Sequence, residues 1–256
     1  MSDRPSVVAR LRAAGCVFAE DEARLLLAAA STPAELDAAV DRRVAGLPLE
    51  QVLGWAGFCG LRIAVAPGVF VPRRRTEFLA RQAVALVPPA GVAVELCCGA
   101  GAVGAVLASA VDGVELHAVD IDPAAVGCAT ANLPASARVY AGDLYQPLPP
   151  TLRGRVDVLV ANAPYVPTAA IGLLPAEARL HEPLVALDGG PDGLDVLRRV
   201  TAAAPAWLAP GGSLLVETSG EQAPAVVDAM RRSGLLPRVA ECWELHATLV
   251  IGTRPG

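Results

Sequence analysis

The spacing of apolar residues changes character twice along the chain. From "SVVARLRAAGC" through "AEDEARLLLAAASTPAELDAAVDRRVAG" apolar residues recur at helical spacing, and Ser31-Thr32-Pro33 followed by Glu35 has the form of a capped helix start. Residues 1–47 are therefore expected to form a small helical region. In "GFCGLRIAVAPGVFVPR" apolar positions alternate around Pro67-Gly68, which predicts a β-hairpin within a linker over 48–75. Beyond it the rhythm becomes one of strands and helices in turn. "VAVEL" (92–96), "VELHAVDI" (114–121), "ARVYAGD" (137–143), "VDVLVAN" (156–162) and "GSLLVET" (212–218) are apolar strands separated mostly by helix-like stretches. Such alternation predicts an α/β, doubly wound, mostly parallel sheet covered on both faces. At the end "PRVAECWE" (237–244) and "ATLVIGTR" (247–254) are two residues apart, too close for a crossover, so they must pair as an antiparallel hairpin. That makes seven strands in a third unit over 76–256.

Composition narrows the class of protein. At 256 residues, with 54% hydrophobic residues and a mean hydropathy of +0.46, the chain has ample core material. No uninterrupted apolar stretch reaches the ~18 residues of a membrane span. The opening "MSDRPSVVARLRAAG" lacks the apolar segment and cleavage site of a secretory signal, so a cytoplasmic location is expected. The six cysteines show no CxxC or Cys/His ligand spacing, which leaves them as small apolar residues rather than metal ligands or a disulfide framework. Net charge is −5: residues 1–90 carry 11 Arg against 9 acids, and residues 91–256 carry 10 Arg against 17 acids. Nothing in this resembles the broad basic face of a nucleic-acid-binding protein.

The candidate chemistry lies at the strand ends. "VAVELCCGAGAVGAVLA" places a strand, a glycine-rich turn and a helix in succession, so backbone N–H groups face whatever sits above the sheet. Gly99 to Gly104 satisfies GxGxxG, a pattern that helix–strand packing in an Ala- and Gly-rich chain also produces. Asp120 closes the second strand 19 residues after Gly101, where an acid would bind the ribose of NAD or of S-adenosylmethionine alike. Glu95 would reach the ammonium end of an amino-acid-like cofactor, directly or through water, and would repel a pyrophosphate. Asp143 ends the third strand within reach of an adenine amino group. Each acid by itself is as well explained by capping the helix that follows. Four polar groups at four successive strand ends, Glu95, Asp120, Asp143 and Asn162, point instead to a bound ligand. The fourth strand runs into Asn162-Ala163-Pro164-Tyr165, which as an isolated tetrapeptide is equally well a simple turn.

Six stretches carry a family resemblance: "PLEQVLGWAGFCGLRIAVAPGVFVPR" (48–73), "VELCCGAGAVG" (94–104), "VDIDPAAV" (119–126), "GDLYQPL" (142–148), "NAPY" (162–165) and "HEPLVALDGGPDGLDVLRRV" (181–200). With them the chain resembles class I S-adenosylmethionine-dependent methyltransferases, and within these the HemK/PrmC family of protein-(glutamine-N5) methyltransferases that modify peptide-chain release factors. The resemblance implies the class I methyltransferase fold, S-adenosylmethionine as cofactor, and a release factor as protein partner, with methylation of the glutamine in its Gly-Gly-Gln loop. It implies that the loop Cys97, Cys98, Gly99, Ala100 and Gly101 holds the cofactor together with Glu95, Asp120 and Asp143, with Leu144 beside the adenine. Asn162, Ala163, Pro164 and Tyr165 would form the acceptor pocket, Asn162 also bordering the cofactor, with Arg73 on the substrate side and residues 1–47 recognising the protein. An amide nitrogen is a poor nucleophile because its lone pair is delocalised. Such a site must orient it and accept both N–H bonds, for which Asn162 Oδ1 and the carbonyl of residue 163 are suited, while Tyr165 offers a face to the planar amide.

The chain departs from the family at three places. Ala163 replaces the first proline of Asn-Pro-Pro-Tyr, Arg74 and Arg75 stand where the family has proline and an acid, and the helical region is short. Arg73, Arg74 and Arg75 read as a patch that docks an acidic or backbone-rich protein surface. Two competing functions follow from the same residues. N6-adenine methylation of DNA or RNA would use the same planar NH2 but lacks a basic stripe here, and a paralogue that binds cofactor without transfer would account for Ala163.

Overall fold

The helical spacing near the amino terminus resolves into α1 (Arg4–Ala13), α2 (Ala19–Ala29), α3 (Pro33–Val44) and α4 (Leu49–Leu53) in the computed structural model, which describes residues 4–256. Val7, Leu11, Ala23, Leu26, Leu36 and Val40 close a small core among these helices. The start of α3 is capped reciprocally: Thr32 Oγ1 accepts from the Glu35 N–H at 3.2 Å, and the Glu35 carboxylate accepts from the Ser31 N–H at 2.8 Å.

The hairpin is present, but its turn lies elsewhere than the alternation suggests. Strands β1 (Trp55–Phe58) and β2 (Leu61–Ala64) pair from Trp55↔Ala64 to Phe58↔Leu61, so the turn is Cys59-Gly60 and not Pro67-Gly68. Both turn residues have positive φ, 48° at Cys59 and 80° at Gly60, as a tight two-residue turn between twisted strands requires. The alternation runs on past the pairing because Val65, Val69 and Val71 are also buried in the irregular segment that follows.

The remaining elements build the α/β unit: α5 (Thr76–Leu86), β3 (Val92–Leu96), α6 (Ala102–Ala110), β4 (Glu115–Asp120), α7 (Pro123–Asn132), β5 (Arg138–Ala141), β6 (Val156–Ala161), α8 (Ala176–His181), α9 (Asp195–Ala203), β7 (Leu208–Thr218), α10 (Ala223–Arg232), β8 (Leu236–Cys242) and β9 (Ala247–Thr253). Seven strands form one sheet in the order β5-β4-β3-β6-β7-β9-β8. The first five in sequence are parallel, and β9 inserts antiparallel between β7 and β8. Alternate residues supply two cores. Val158, Val160 and Leu215 face the side of Leu79 and Leu107, whereas Leu159, Ala161, Leu214 and Val216 face Leu197, Val200 and Met230. The chain winds outward from β3 in one direction through β4 and β5 and in the other through β6 and β7. The crevice between β3 and β6, at their carboxyl ends, is therefore where an open sheet of this kind binds its ligand. Among the described residues no helix is long and apolar enough to cross a membrane.

Candidate active site

The carboxyl ends of β3, β4 and β6 and the segment after β5 open into one cavity of about 500 Å³, which divides into two halves. In the first half the glycine turn is shaped by positive φ at Cys97, Gly99 and Gly101 (53°, 54° and 73°). A Cβ built on Gly99 would meet nothing within 4 Å, so that edge of the turn faces open cavity. Gly104 is needed for a different reason. A Cβ there would lie 2.7 Å from Glu95 Oε2, the atom that accepts the Gly104 N–H at 2.8 Å. Glu95 is thereby tucked beneath the turn against the start of α6, and burial pushes its carboxyl up to about 8, opposed by the bond from Gly104. Asp120 shapes the turn from the next strand: Oδ2 accepts from Gly99 N–H at 2.8 Å and Oδ1 from Asp122 N–H at 2.9 Å. Burial raises its carboxyl too. Asp143 is paired with Arg199 of α9, and Leu144 beside it is buried with φ 49°. The Cys97 and Cys98 thiols are pushed up by burial, which keeps them protonated and inert as nucleophiles.

The donor set of this half bears on the implied cofactor. Glu95, Asp120 and Asp143 line the half, and its basic side chain, Arg199, is committed to Asp143. Asp120 and Asp143 suit ribose hydroxyls and an adenine amine, and Glu95 once ionised suits an ammonium or sulfonium centre, whereas the pyrophosphate of a dinucleotide would meet the like charge of the aspartates. The residues fit S-adenosylmethionine.

The second half is built around Asn162 to Tyr165. Asn162 Nδ2 donates to Thr76 Oγ1 at 3.4 Å, so Oδ1 is left for the cavity. Ala163 is buried, and Tyr165 donates its hydroxyl to Glu217 Oε1 at 3.1 Å. The loop after the tetrapeptide is gripped by the block 187–193: Val166 N–H donates to Leu187 O, Gly189 N–H to Val166 O and Thr168 N–H to Gly190 O. Any side chain at Gly193 would strike the Tyr165 carbonyl, which accepts from Gln222 Nε2 at 2.9 Å. The glycines of "GGPDG" thus allow two backbones to lie together.

The three consecutive arginines do not form one patch. Arg73 donates to both oxygens of Glu182, at 2.7 and 2.6 Å, and lies 4.9 Å from the Phe70 ring, while Glu182 also accepts from the Val71 N–H. Arg75 Nε donates to Glu217 Oε1 at 2.9 Å. Arg74 faces solvent. Arg73 and Arg75 line the cavity rather than an outer face, so the reading of all three as a docking patch is corrected: buried carboxylates on distant segments claim two of them. Sequence reasoning also missed Thr76, Glu182, Arg199 and Glu217. Glu217 had a readable signal, a carboxylate closing the apolar run "SLLVE", the same rule that singled out Glu95 and Asp120.

The family model described as methyltransferase small domain matches residues 60–181. A release factor glutamine methyltransferase of Geobacter sulfurreducens is 38% identical over 198 residues, covering 76% of this chain and 69% of that protein. A 4-amino-L-phenylalanine/4-methylamino-L-phenylalanine methyltransferase of Streptomyces pristinaespiralis is 36% identical over 203 residues, covering 76% of this chain and 69% of that one. Among solved structures, a methyltransferase from Pyrococcus furiosus superposes with a TM-score of 0.61 at 15% identity over 84% of this chain and all of its own, which is a likeness of fold. By its relatives and by a site that fits S-adenosylmethionine, the chain belongs to the release factor glutamine methyltransferase family of S-adenosylmethionine-dependent enzymes.

Proposed function

We propose that this chain transfers a methyl group to the side-chain amide nitrogen of a glutamine in a peptide-chain release factor. The observation that carries the reading is Asn162, whose Nδ2 is held by Thr76 so that Oδ1 is presented to the cavity beside the backbone carbonyl of Ala163. These two acceptors match the two N–H bonds of a carboxamide. S-adenosylmethionine, when bound, supplies the electrophilic methyl. Asn162 and Ala163 turn the amide so that its nitrogen faces that methyl, and Pro164 and Tyr165 wall the pocket against water. Asn162 and Ala163 would hold the nitrogen's two N–H bonds while the methyl is supplied, and the nitrogen's surplus proton would pass to solvent as or after the methyl arrives, so no strong base has to act beforehand.

Residues 1–47 serve as the recognition region in this reading. Arg43 of α3 bridges Glu22 of α2 and Glu177 of α8, joining the helical region to the cavity wall, and Val17 and Phe18 are exposed at its surface. A cytoplasmic location goes with such a substrate. The test is mass spectrometry of release factor incubated with the chain and S-adenosylmethionine. One methyl on the glutamine of the Gly-Gly-Gln loop is the expected product. Methylation of free 4-amino-L-phenylalanine with none on the release factor would replace this reading by the arylamine chemistry named for the Streptomyces relative.

A further inference from the structure

Glu217, the last residue but one of β7, lies one residue beyond the paired position Ala161↔Val216, which places it next in register to Asn162. It is buried, and its two oxygens are used unequally. Oε1 accepts both from Arg75 Nε and from the Tyr165 hydroxyl, whereas Oε2 has no partner among the described residues. An arginine that served only to neutralise this carboxylate would meet both oxygens with its two-pronged edge. Arg75 instead touches one oxygen through Nε, with 44% of its side chain exposed and its guanidinium carbon 5.7 Å from the centroid of the Tyr165 ring. Its Nη groups are not spent on Glu217. Arg75 also directly precedes Thr76, the residue that fixes Asn162, and both line the cavity.

A carboxamide brings three hydrogen-bonding needs into such a pocket: two N–H bonds to be accepted and one carbonyl oxygen that requires a donor. Asn162 and Ala163 meet the first two. Around them, the Tyr165 hydroxyl already donates to Glu217; Arg73 and Arg75 both keep N–H groups beyond their carboxylate bonds, and Arg75 is the one whose anchor, Glu217, also holds Tyr165 and lies next in register to Asn162. We propose that Arg75, anchored by Glu217, is a specificity-determining residue that donates to the carbonyl oxygen of the acceptor amide. The inference rests on the glutamine reading above and deepens it. An arylamine carries the same NH2 without a carbonyl oxygen, so this contact selects the carboxamide. The Glu217 carboxylate beside it weighs against a carboxylate acceptor that would otherwise be drawn to the arginine.

The test compares two peptides, one carrying glutamine and one carrying its thioamide analogue, whose sulfur is a weaker acceptor while both N–H bonds remain. Arg75→Met is made on a Glu217→Gln background, so that no unpaired carboxylate is left buried, and Glu217→Gln alone is the reference. Replacing Arg75 is expected to lower kcat/KM for the glutamine peptide by about 10- to 100-fold, as for loss of a charged hydrogen bond. The loss should be much smaller for the thioamide, cofactor affinity should stay the same, and Arg75→Lys should recover part of the rate. Equal losses on both peptides, or none on either, overturn the contact with the oxygen while the glutamine reading stands. Failure of the unaltered protein to methylate the glutamine peptide or a release factor overturns that reading and this inference with it.

Discussion

The two halves of the cavity differ in how far along the chain their parts are gathered. On the cofactor side, Glu95 bonds to Gly104 and Asp120 to Gly99, partners 9 and 21 residues apart, through backbone N–H groups of one strand-turn-helix unit and the strand beside it, and the side-chain tie of Asp143 to Arg199 spans 56 residues. On the acceptor side the ties are Asn162 to Thr76, Arg73 to Glu182 and Arg75 to Glu217, which span 86, 109 and 142 residues and run between side chains. A backbone-built site survives most substitutions because the groups that form it are common to all residues. A site built from side-chain pairs can be altered by one exchange while the sheet stays as it is. The departures from the family pattern follow that division: Arg74, Arg75 and Ala163 all lie on or beside the acceptor half.

The comparison breaks most visibly at Asn162. Asn162→Ala removes the one acceptor in the tetrapeptide that mutation can delete outright, and turnover should fall by about 10²-fold or more, as when one transition-state hydrogen-bond partner is lost. Cofactor affinity, measured by calorimetric titration, should change far less. If both fall together, the two halves are not separable in the way their construction suggests.

The complementary cut is Asp120→Ala, which removes the carboxylate that shapes the glycine turn and lines the cavity, and that we propose binds the ribose. Cofactor binding should weaken by about 1–3 kcal/mol, the range for a hydrogen bond involving a charged group. The Michaelis constant for the protein substrate should stay close to its original value. Binding of NADH that S-adenosylhomocysteine does not displace would count against the assignment of this half.

The same division explains what could be read from sequence. The central strands β3, β4 and β6 fall where apolar runs place them, because a strand buried on both faces must be apolar on both, while β7 begins four residues before its apolar run, at Leu208, and the antiparallel ending follows from the short gap between β8 and β9. The cofactor half was legible for a related reason: a strand, a glycine turn and an acid at the next strand end form a local pattern. The hairpin turn was misplaced because burial of Val65, Val69 and Val71 continues the alternation beyond the last pair, while the brief signal at Cys59-Gly60 sits inside it. The acceptor half was legible only in its tetrapeptide. Nothing near Arg73 or Arg75 in sequence indicates that carboxylates more than a hundred residues away will claim them, so consecutive charges looked like a surface patch.

Within the cofactor half, Glu95 sharpens the contrast through pH. Its carboxyl lies near 8 in the cofactor-free protein, raised by burial. A cationic cofactor favours the ionised form, so below about pH 8 binding must displace a proton, and affinity should rise with pH until it levels there. For folding the sign is reversed. The folded protein retains a proton that the unfolded chain has already lost, so stability of the cofactor-free protein falls as pH climbs from the ordinary carboxylate range towards about 8. Glu95→Gln should flatten both trends while keeping an acceptor for Gly104. Titrations at several pH values check this, and an affinity independent of pH in the unaltered protein would place the cofactor's positive charge away from Glu95.

The smallest effect is expected at Ala163, where the chain lacks the proline of its family. The carbonyl proposed to accept the second N–H belongs to the backbone and is present whichever residue stands there. What proline adds is a fixed φ at 163 and a restriction on Asn162 before it, which lowers the number of conformations available to the loop. Here the loop is already held from outside: Val166 and Thr168 are bonded to Leu187 and Gly190, and the Tyr165 carbonyl to Gln222. Because these bonds already provide most of the order, Ala163→Pro should stabilise the fold by about 0.4–1 kcal/mol where the native backbone is compatible. Transfer should be equal or slightly faster. Thermal unfolding and single-turnover methyl transfer on the same sample decide the matter together. If Ala163→Pro leaves the protein folded and abolishes transfer, the loop presents its carbonyl at an angle that proline cannot adopt, and the acceptor is not a glutamine amide held in the family's manner.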